Sequence, residues 1–421
     1  MFINVKGYFI ILMLQVFFSI WLVASVGYIE SGVYNRDLEI VTTFNFSTLR
    51  LVIYEFIFFI TIWCWAKITK INVYNYRISN IIVNKKVQYF SNTIVFLINI
   101  LFTLNLILSG SILTNSDISR FNFYTTYSKI GFIRPLFYLV NPLSAVMGLN
   151  FIFSRNKKIK ILSLVNVIIM LIYARLTGNE FGVLLYIVFY FFLATIINTV
   201  NSIEAKRNWV KIFIKRYKKY ILYAICLFGL VILVKINSFK HVNVFSQITE
   251  SPIGAFLYRA LGLQGDTWWA TDKLTINGYK DTMQISNEFK AIFDETMKGQ
   301  VGIQYLMKLI LPQTSLNRYI WGGAELMSGY PALNIAMYGY IPTALITIIE
   351  ASLFFELTSY VYKKVIKKQY FRVFLSVALL EQVMKVFGIG GIWYIGNLIP
   401  IMSIILILVI EYVYITMGRI K

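Results

Sequence analysis

Long, continuously apolar runs cover most of this chain, and they constrain its fold more than any other feature. Most of them match the about 17–25 residues that a helix needs to cross the hydrocarbon core of a bilayer. None shows the alternating apolar and polar positions of a transmembrane β-barrel strand. We therefore predict an all-α polytopic membrane protein with about ten transmembrane helices, and at most twelve. The ten runs cover residues 8–28, 49–66, 91–110, 135–153, 161–177, 181–200, 220–236, 333–361, 371–389 and 393–414.

The composition excludes a soluble globular domain. Hydrophobic residues make up 58% of the chain and charged residues 14%, whereas soluble domains have about 45–50% and about 25%. Both cysteines, Cys64 and Cys226, lie inside apolar runs, so no disulfide is expected. The single histidine is His241, and the sequence has no Cys/His cluster, phosphate-binding loop or dinucleotide fingerprint. No cofactor and no metal is therefore predicted.

The basic residues are distributed unevenly between the loops. More than half of the 40 Lys and Arg residues lie in alternate loops that hold few acidic residues. Cytoplasmic loops of membrane proteins carry such an excess of positive charge. This pattern predicts that both termini are cytoplasmic. It also accounts for most of the formal net charge of +21 without a nucleic-acid partner.

The predicted topology divides the chain into three parts. Residues 1–236 hold the first seven helices, residues 237–332 form one large periplasmic loop, and residues 333–421 hold the last three helices. A structureless loop of that length is improbable in a compact protein. The pattern predicts amphipathic helices over residues 287–298 and 300–311, which we expect to lie on the outer membrane surface as a lid.

One polar cluster lies in the first half of this loop. Arg259 and Asp266 flank two glycines that let the backbone approach a ligand. Trp268 and Trp269 follow directly. Two interpretations of the tryptophan pair stay open: it stacks on a sugar face, or it anchors the loop at the lipid headgroups.

A second polar cluster spans residues 311–340, where glycines and prolines favour a re-entrant turn that lines a cavity. Arg318 suits a bidentate grip on a diphosphate, and Glu325 is a candidate base. The alternative is an arginine at headgroup level that a lipid phosphate satisfies. Further candidate substrate-binding residues in this stretch are Trp321, Gly329, Tyr330 and Tyr338.

Other charged residues lie at or inside the predicted spans. Arg175 and Glu180 border a tight outer turn, where they either face a substrate or pair with each other. Glu381 and Lys385 are four residues apart in the order that favours a helical ion pair, and Lys385 is also a candidate substrate-binding residue near the outer face. Glu55, Glu350 and Glu356 lie within spans, where ionisable groups need a partner or a cavity. We also expect the long eighth run to be tilted or broken, because Gly339 and Pro342 lie inside it.

The topology and two local motifs resemble the bacterial Wzy-type O-antigen polymerases, which join oligosaccharide repeat units. The turn Thr177-Gly178-Asn179 before an apolar span is similar to one landmark of that family. The second similar stretch runs from Arg318 through Ile320 and Trp321 to Gly329, Tyr330 and Pro331, and then Met337, Tyr338 and Gly339.

Three positions depart from the pattern. Glu180 stands where many relatives carry a basic residue. Ten residues separate Arg318 from Gly329, and this spacing is not repeated after Arg259, because Ala270 stands at the corresponding position. In the related O-antigen ligases an outer-loop histidine is followed by a polar residue, whereas His241 is followed by Val242. This last departure disfavours a ligase.

The resemblance implies a glycosyltransferase of the all-helical membrane (GT-C-like) architecture in the bacterial inner membrane, with its active face in the periplasm. A growing glycan on undecaprenyl diphosphate would be transferred to a new lipid-linked unit without nucleotide or metal. Arg318, Arg259 and Arg175 would stabilise the leaving diphosphate, and Glu325 or Asp266 would be the base. The family also implies a chain-length regulator as a partner. The alternatives are a flippase for the same lipid-linked units, an O-antigen ligase and a non-catalytic membrane scaffold.

Overall fold

A computed structural model describes most of the chain, and the fold below refers to that part. The described residues are 6–69, 85–115, 117–118, 122–179, 181–204, 258–322, 326, 329–396 and 398–419. Nearly all of them are helical, which confirms the predicted all-α class. Within these ranges one strand pair occurs, in which β1 (Tyr34–Asn35) pairs antiparallel with β2 (Ile40–Val41).

The helices of the first part follow the predicted apolar runs. In chain order they are α1 (Lys6–Glu30), α2 (Ser47–Ile68), α3 (Lys85–Ser109), α4 (Ile133–Phe137), α5 (Val140–Phe153), α6 (Lys157–Leu176) and α7 (Phe181–Glu204). The predicted seventh run, residues 220–236, lies outside the described residues.

The remaining helices begin in the predicted periplasmic loop. A π-helical turn (Tyr258–Gly262) leads into α8 (Leu263–Ile276), followed by α9 (Met283–Lys290), a 3₁₀ turn (Glu295–Gln300), α10 (Gly302–Ile310) and α11 (Gln313–Gly322). The chain then forms α12 (Ala332–Tyr338), α13 (Tyr340–Ile366), α14 (Tyr370–Ile389), α15 (Trp393–Gly396) and α16 (Leu398–Arg419).

Four of the described helices are long and apolar enough to cross a membrane: α2, α3, α6 and α13. Apolar stretches shorter than a full span lie in α1, α5, α7 and α16. These helices fit a membrane protein, and the total of ten spans stays a prediction.

The eighth run breaks where the sequence predicts. Gly339 has a φ of +77° and separates α12 from α13, a backbone conformation that glycine adopts without a steric penalty. The short α12 is buried along most of its length, whereas α13 continues as a 27-residue helix.

Of the two predicted amphipathic helices, the second forms and the first does not. Residues 287–298 do not form one helix, because α9 ends at Lys290 and a 3₁₀ turn starts at Glu295. Helix α10 buries Ile303, Leu306 and Met307 in a core that it shares with α8 and α12. It therefore packs into the protein through its apolar face, and its position relative to the membrane surface stays a prediction.

Two apolar cores hold the described helices together. The larger one lies in the bundle, where α5 packs against α7 and α14, and α3 against α6. The smaller one joins the C-terminal half of α1 and the start of α2 to α8, α10 and α12. The predicted periplasmic segment is thus packed onto one end of the bundle, which we call the polar end.

Ion pairs connect neighbouring helices in the last part of the chain. Glu411 accepts from Lys364 at 2.6 Å and lies 3.4 Å from Arg372, which ties α16 to α13 and α14. Lys385 and Glu381 form the predicted pair within α14, with an N–O distance of 3.4 Å.

Candidate functional site

The loop between α1 and α2, residues 31–46, lies at the centre of the polar end. Its ends are fixed by Glu30, whose carboxylate accepts from the backbone N–H groups of Asn45, Ser47 and Thr48 at 3.1, 2.6 and 2.9 Å. A carboxylate is well placed there because the first N–H groups of a helix have no partner within the helix. We call this segment the α1–α2 loop.

Asn35 shapes the middle of the α1–α2 loop. Its side-chain oxygen accepts from the backbone N–H groups of Asp37 and Leu38, both at 3.0 Å, so that Asn35 closes an Asx turn. Its side-chain nitrogen donates to Asp266 on α8. One buried amide therefore joins the turn that carries Asp37 to the carboxylate of Asp266.

Two tyrosines from distant segments complete the contacts of this turn. The hydroxyl of Tyr319 on α11 donates to Oδ2 of Asp37 at 2.8 Å. The hydroxyl of Tyr258 accepts from the backbone N–H of Arg36 at 2.8 Å. Asn35, Asp37, Tyr258, Asp266 and Tyr319 together form what we call the carboxylate site.

The carboxylate site brings two acidic side chains together in a buried environment. Asp37 is 4% exposed and Asp266 is 0% exposed. Burial of Asp266 and the nearby charge of Asp37 raise the pKa of Asp266 well above its ordinary value, although the hydrogen bond from Asn35 opposes this. Oδ2 of Asp266 has no hydrogen-bond partner among the described residues. Two acidic groups in one buried site disfavour each other's charge.

The two predicted arginines lie next to the tyrosines of this site in the sequence. Arg259 follows Tyr258 in the π-helical turn, and Arg318 precedes Tyr319 in α11. Since both tyrosines contact the α1–α2 loop, the backbones of both arginines reach the same end of the molecule. The structure describes the backbone of Arg259, Arg318 and Trp321 and leaves their side chains out. Glu325 lies outside the described residues.

The tryptophan pair is buried within the protein. Trp268 and Trp269 are both 0% exposed. Trp268 donates from Nε1 to the carbonyl of Ser47 at 3.0 Å, and Trp269 donates to that of Thr43 at 3.3 Å. A sugar platform and a headgroup anchor both need an exposed ring, so this arrangement corrects both interpretations. The indoles instead fix α8 to the α1–α2 loop and to the first turn of α2.

The other candidate residues have no described contact with the carboxylate site. Tyr330 is buried, and its hydroxyl donates to Oγ1 of Thr347 at 3.1 Å. Gly329 contributes a carbonyl that accepts from the N–H of Leu333 at 2.7 Å. Tyr338 is partly buried at the end of α12.

The remaining two candidates lie on the bundle. Arg175 is exposed in the last turn of α6, and Glu180, its predicted partner, lies outside the described residues. Lys385 pairs with Glu381 and lies 4.9 Å from the ring centre of Tyr138.

A buried ion pair lies six residues further along α8. Asp272 is 0% exposed and receives Nε and Nη2 of Arg50 at 2.9 and 2.6 Å. The hydroxyl of Tyr340 donates to the same carboxylate at 2.8 Å. This contact joins α2, α8 and the start of α13, and it fully satisfies the acidic group.

Glu288 is a further buried carboxylate, and it accepts only from neutral groups in the described contacts. Glu288 on α9 is 0% exposed and receives the backbone N–H groups of Gly302 at 2.5 Å and Ile392 at 3.1 Å. Burial raises its pKa, and these hydrogen bonds oppose the shift. Glu288 thereby ties α9 and α10 to the connection between α14 and α15.

The sequence interpretation missed Asn35, Asp37 and the ion pair between Arg50 and Asp272. One signal was available for Arg50: an arginine inside an apolar span requires a partner. Asn35-Arg36-Asp37 has the composition of an Asx turn directly after the first span. Neither signal names the partner, because the contacting residues are more than 200 positions away.

Comparisons with known proteins give one similarity. A family model described as a family of unknown function (DUF6418) matches residues 296–415. The match includes Arg318, Glu325 and the last helices, and it leaves out the α1–α2 loop, Arg259 and Asp266. No curated protein matches the chain, and no solved structure matches it. These comparisons attach no activity to the chain, so the function has to be argued from the site.

Proposed function

We propose that this protein polymerises undecaprenyl-diphosphate-linked oligosaccharide repeat units, the O-antigen, on the periplasmic face of the bacterial inner membrane. It would be a GT-C-like membrane glycosyltransferase with both termini in the cytoplasm. Its partners would be the lipid-linked substrates, the bilayer and a chain-length regulator of the same pathway. The reaction would need neither a nucleotide nor a metal, since the lipid diphosphate is the leaving group.

One observation carries the proposal. Two segments carry the candidate residues, one with Arg259 and Asp266 and the other with Arg318, and both contact the α1–α2 loop, through Tyr258 and Asp266 and through Tyr319. A scaffold protein has no need for a buried, incompletely hydrogen-bonded carboxylate near two arginine-bearing segments. Glycosyl transfer from a diphosphate needs both kinds of group.

Each kind of group has a defined task in that reaction. Negative charge develops on the diphosphate as its bond to the anomeric carbon breaks, and Arg318 and Arg259 would stabilise that charge. A carboxylate would remove the proton from the attacking sugar hydroxyl. Arg175 would assist at the outer mouth of the bundle.

The test uses the native host with the gene deleted and then restored. Deletion should leave a lipopolysaccharide core that bears one repeat unit, and restoration should give a ladder. Loss of the single-unit band as well would indicate a flippase or a ligase. An unchanged ladder after deletion would contradict the proposal.

Arg318→Ala should abolish the ladder while the protein still accumulates in the membrane. Loss of one group that stabilises transition-state charge lowers a rate by about 10²–10³-fold. Arg134→Ala is the matched control, because Arg134 is exposed on α4 and its Nε donates only to Tyr138 in the described contacts. A ladder of wild-type length from Arg318→Ala would remove Arg318 from the mechanism. Arg318→Lys separates a bidentate grip from a simple need for charge.

A further inference from the structure

We infer that Asp37, on the α1–α2 loop, is the carboxylate that accepts the proton of the attacking sugar hydroxyl, with Asp266 as a positioning residue behind it. This inference rests on the proposed glycosyl transfer and specifies which residue is its base.

Exposure separates the two acidic groups of the carboxylate site. Asp266 is completely enclosed, and its carboxylate accepts from Asn35 of the α1–α2 loop. Asp37 is also buried but keeps 4% of its surface exposed, and it lies in an Asx turn of the α1–α2 loop. A base must reach its substrate within hydrogen-bond distance, so the enclosed group is the poorer candidate of the two.

The hydrogen bonds separate them in the same way. Asp37 receives the hydroxyl of Tyr319 at 2.8 Å, and a donor to a carboxylate stabilises its charged form. Asp266 receives one amide donor, from Asn35, and its Oδ2 has no partner among the described residues. When two carboxyl groups lie close together, ionisation of both is unfavourable, so one of them tends to stay protonated. The geometry assigns the proton to Asp266 and the charge to Asp37.

The groups that face the pair are consistent with this division. Asn35 and the backbone of Arg36 belong to the loop, Tyr258 to the π-helical turn, and Tyr319 to α11. Burial and the nearby charge of Asp37 raise the pKa of Asp266, which keeps that group neutral over a wider pH range. Asp37 also has a further interaction with its surroundings.

The proposed step is balanced without any further reactant. The oxygen of the acceptor sugar hydroxyl forms a bond to the anomeric carbon of the growing chain, and its proton moves to the carboxylate of Asp37. The bond between the anomeric carbon and the phosphate oxygen breaks, and the diphosphate leaves with the electron pair. The proton then passes from Asp37 to solvent or to the released lipid diphosphate.

The experiment uses membrane vesicles from the deletion host that contain the full-length protein or a variant. Lipid-linked repeat units from the same host are supplied, and the initial rate of polymer formation is measured per amount of folded protein. Asp37→Asn keeps an oxygen that can accept from Tyr319 but cannot take the proton. Its rate should fall at least about 100-fold, the usual contribution of a general base.

Further variants distinguish a base from a structural group. Asp37→Glu should recover part of the rate because it restores a carboxylate, and added formate should partly restore Asp37→Ala. Asp266→Asn should lower the rate less than Asp37→Asn does. Asp294→Asn is the control, since this exposed aspartate caps the 3₁₀ turn through Thr296.

The outcomes separate this inference from the proposed function. Polymer from wild-type vesicles together with an Asp37→Asn rate within tenfold of it overturns the role of Asp37 alone. A larger loss for Asp266→Asn than for Asp37→Asn also overturns it. Absence of polymer from wild-type vesicles overturns the proposed function, and the inference falls with it. Formate rescue keeps the test decisive even where Asp37→Asn accumulates poorly.

Discussion

Two aspartates on helix α8 occupy buried sites that differ in how the charge is compensated. Asp266 and Asp272 are both 0% exposed and lie six residues apart. Asp272 receives two nitrogens of Arg50 and the hydroxyl of Tyr340. Asp266 receives one amide donor from Asn35, and burial together with the charge of Asp37 disfavours its charged form.

The difference separates a buried carboxylate whose charge is compensated from one whose charge is disfavoured. A buried charge has a large desolvation cost that a well-placed guanidinium offsets, so the ion pair of Asp272 clamps α8 to α2. Asp266 receives one neutral donor, Asn35, in its described hydrogen bonds. An arrangement that disfavours a carboxylate's charge costs stability, and such arrangements concentrate at functional sites.

The largest expected effect is the loss of the clamp. Arg50→Ala leaves Asp272 buried without its cation, which should lower the free energy of unfolding by about 3–5 kcal/mol. The measurement is the melting temperature of the detergent-solubilised protein together with its amount in the membrane. Lys298→Ala is the control, because its pair with Glu295 is solvent-exposed and such pairs contribute little. An Arg50→Ala protein as stable as the control would contradict the comparison.

A smaller effect is expected from removing one hydroxyl at each site. Tyr340→Phe and Tyr319→Phe each delete a 2.8 Å hydrogen bond to an aspartate, at a cost of about 1.5–3 kcal/mol in stability. Only Tyr319→Phe should also slow polymer formation per folded protein, because Tyr319 positions Asp37. Both quantities are measured on the same vesicles. Equal slowing by the two variants would show that the sites do not differ in function.

The smallest effect concerns how stability depends on pH. The pKa of Asp266 is raised above its ordinary value of 3.8. Its contribution to stability is therefore complete below that value and is lost as pH rises through the folded-state pKa. Asp266→Asn removes this titration, so its melting temperature should fall less than that of the wild type between about pH 4 and pH 8.

Two related outcomes would sharpen or break this last prediction. The same flattening from Asp281→Asn, a partly buried aspartate that accepts from Tyr305, would mean that the effect is not specific to the carboxylate site. A parallel pH dependence of Asp266→Asn and the wild type would show that Asp266 is ionised like an ordinary aspartate.

Local interactions explain the features of the fold that the sequence predicted well. The apolar runs became helices, since a helix satisfies its backbone hydrogen bonds within one segment. The break at Gly339 and the pair of Glu381 with Lys385 depend on residues at most four positions apart. The division of residues 287–298 into two pieces was missed because α9 and the following turn are fixed by contacts with α10 and the loop after α14.

The candidate site was predictable only in part. The residue types at Arg259, Asp266 and Arg318 indicated one chemistry, and the structure brings their segments to the α1–α2 loop. The exposure of Trp268 and Trp269 was predicted wrongly, because a pattern of aromatic residues does not state what covers them. Asn35 and Asp37 were missed, since neither residue type is unusual in a short loop.

The sequence by itself determined the helical class, the apolar helices that fit a membrane protein, and the position of several helix ends, because these follow from side-chain hydropathy and backbone preference within one segment. Only the tertiary structure decided that Asp272 forms an ion pair with Arg50, whereas Asp266 lies near the charge of Asp37. The physical reason is distance along the chain. Asn35 lies 231 residues before Asp266, and Arg50 lies 222 residues before Asp272. Only the packing of α1, α2 and α8 into one core brings these pairs into contact.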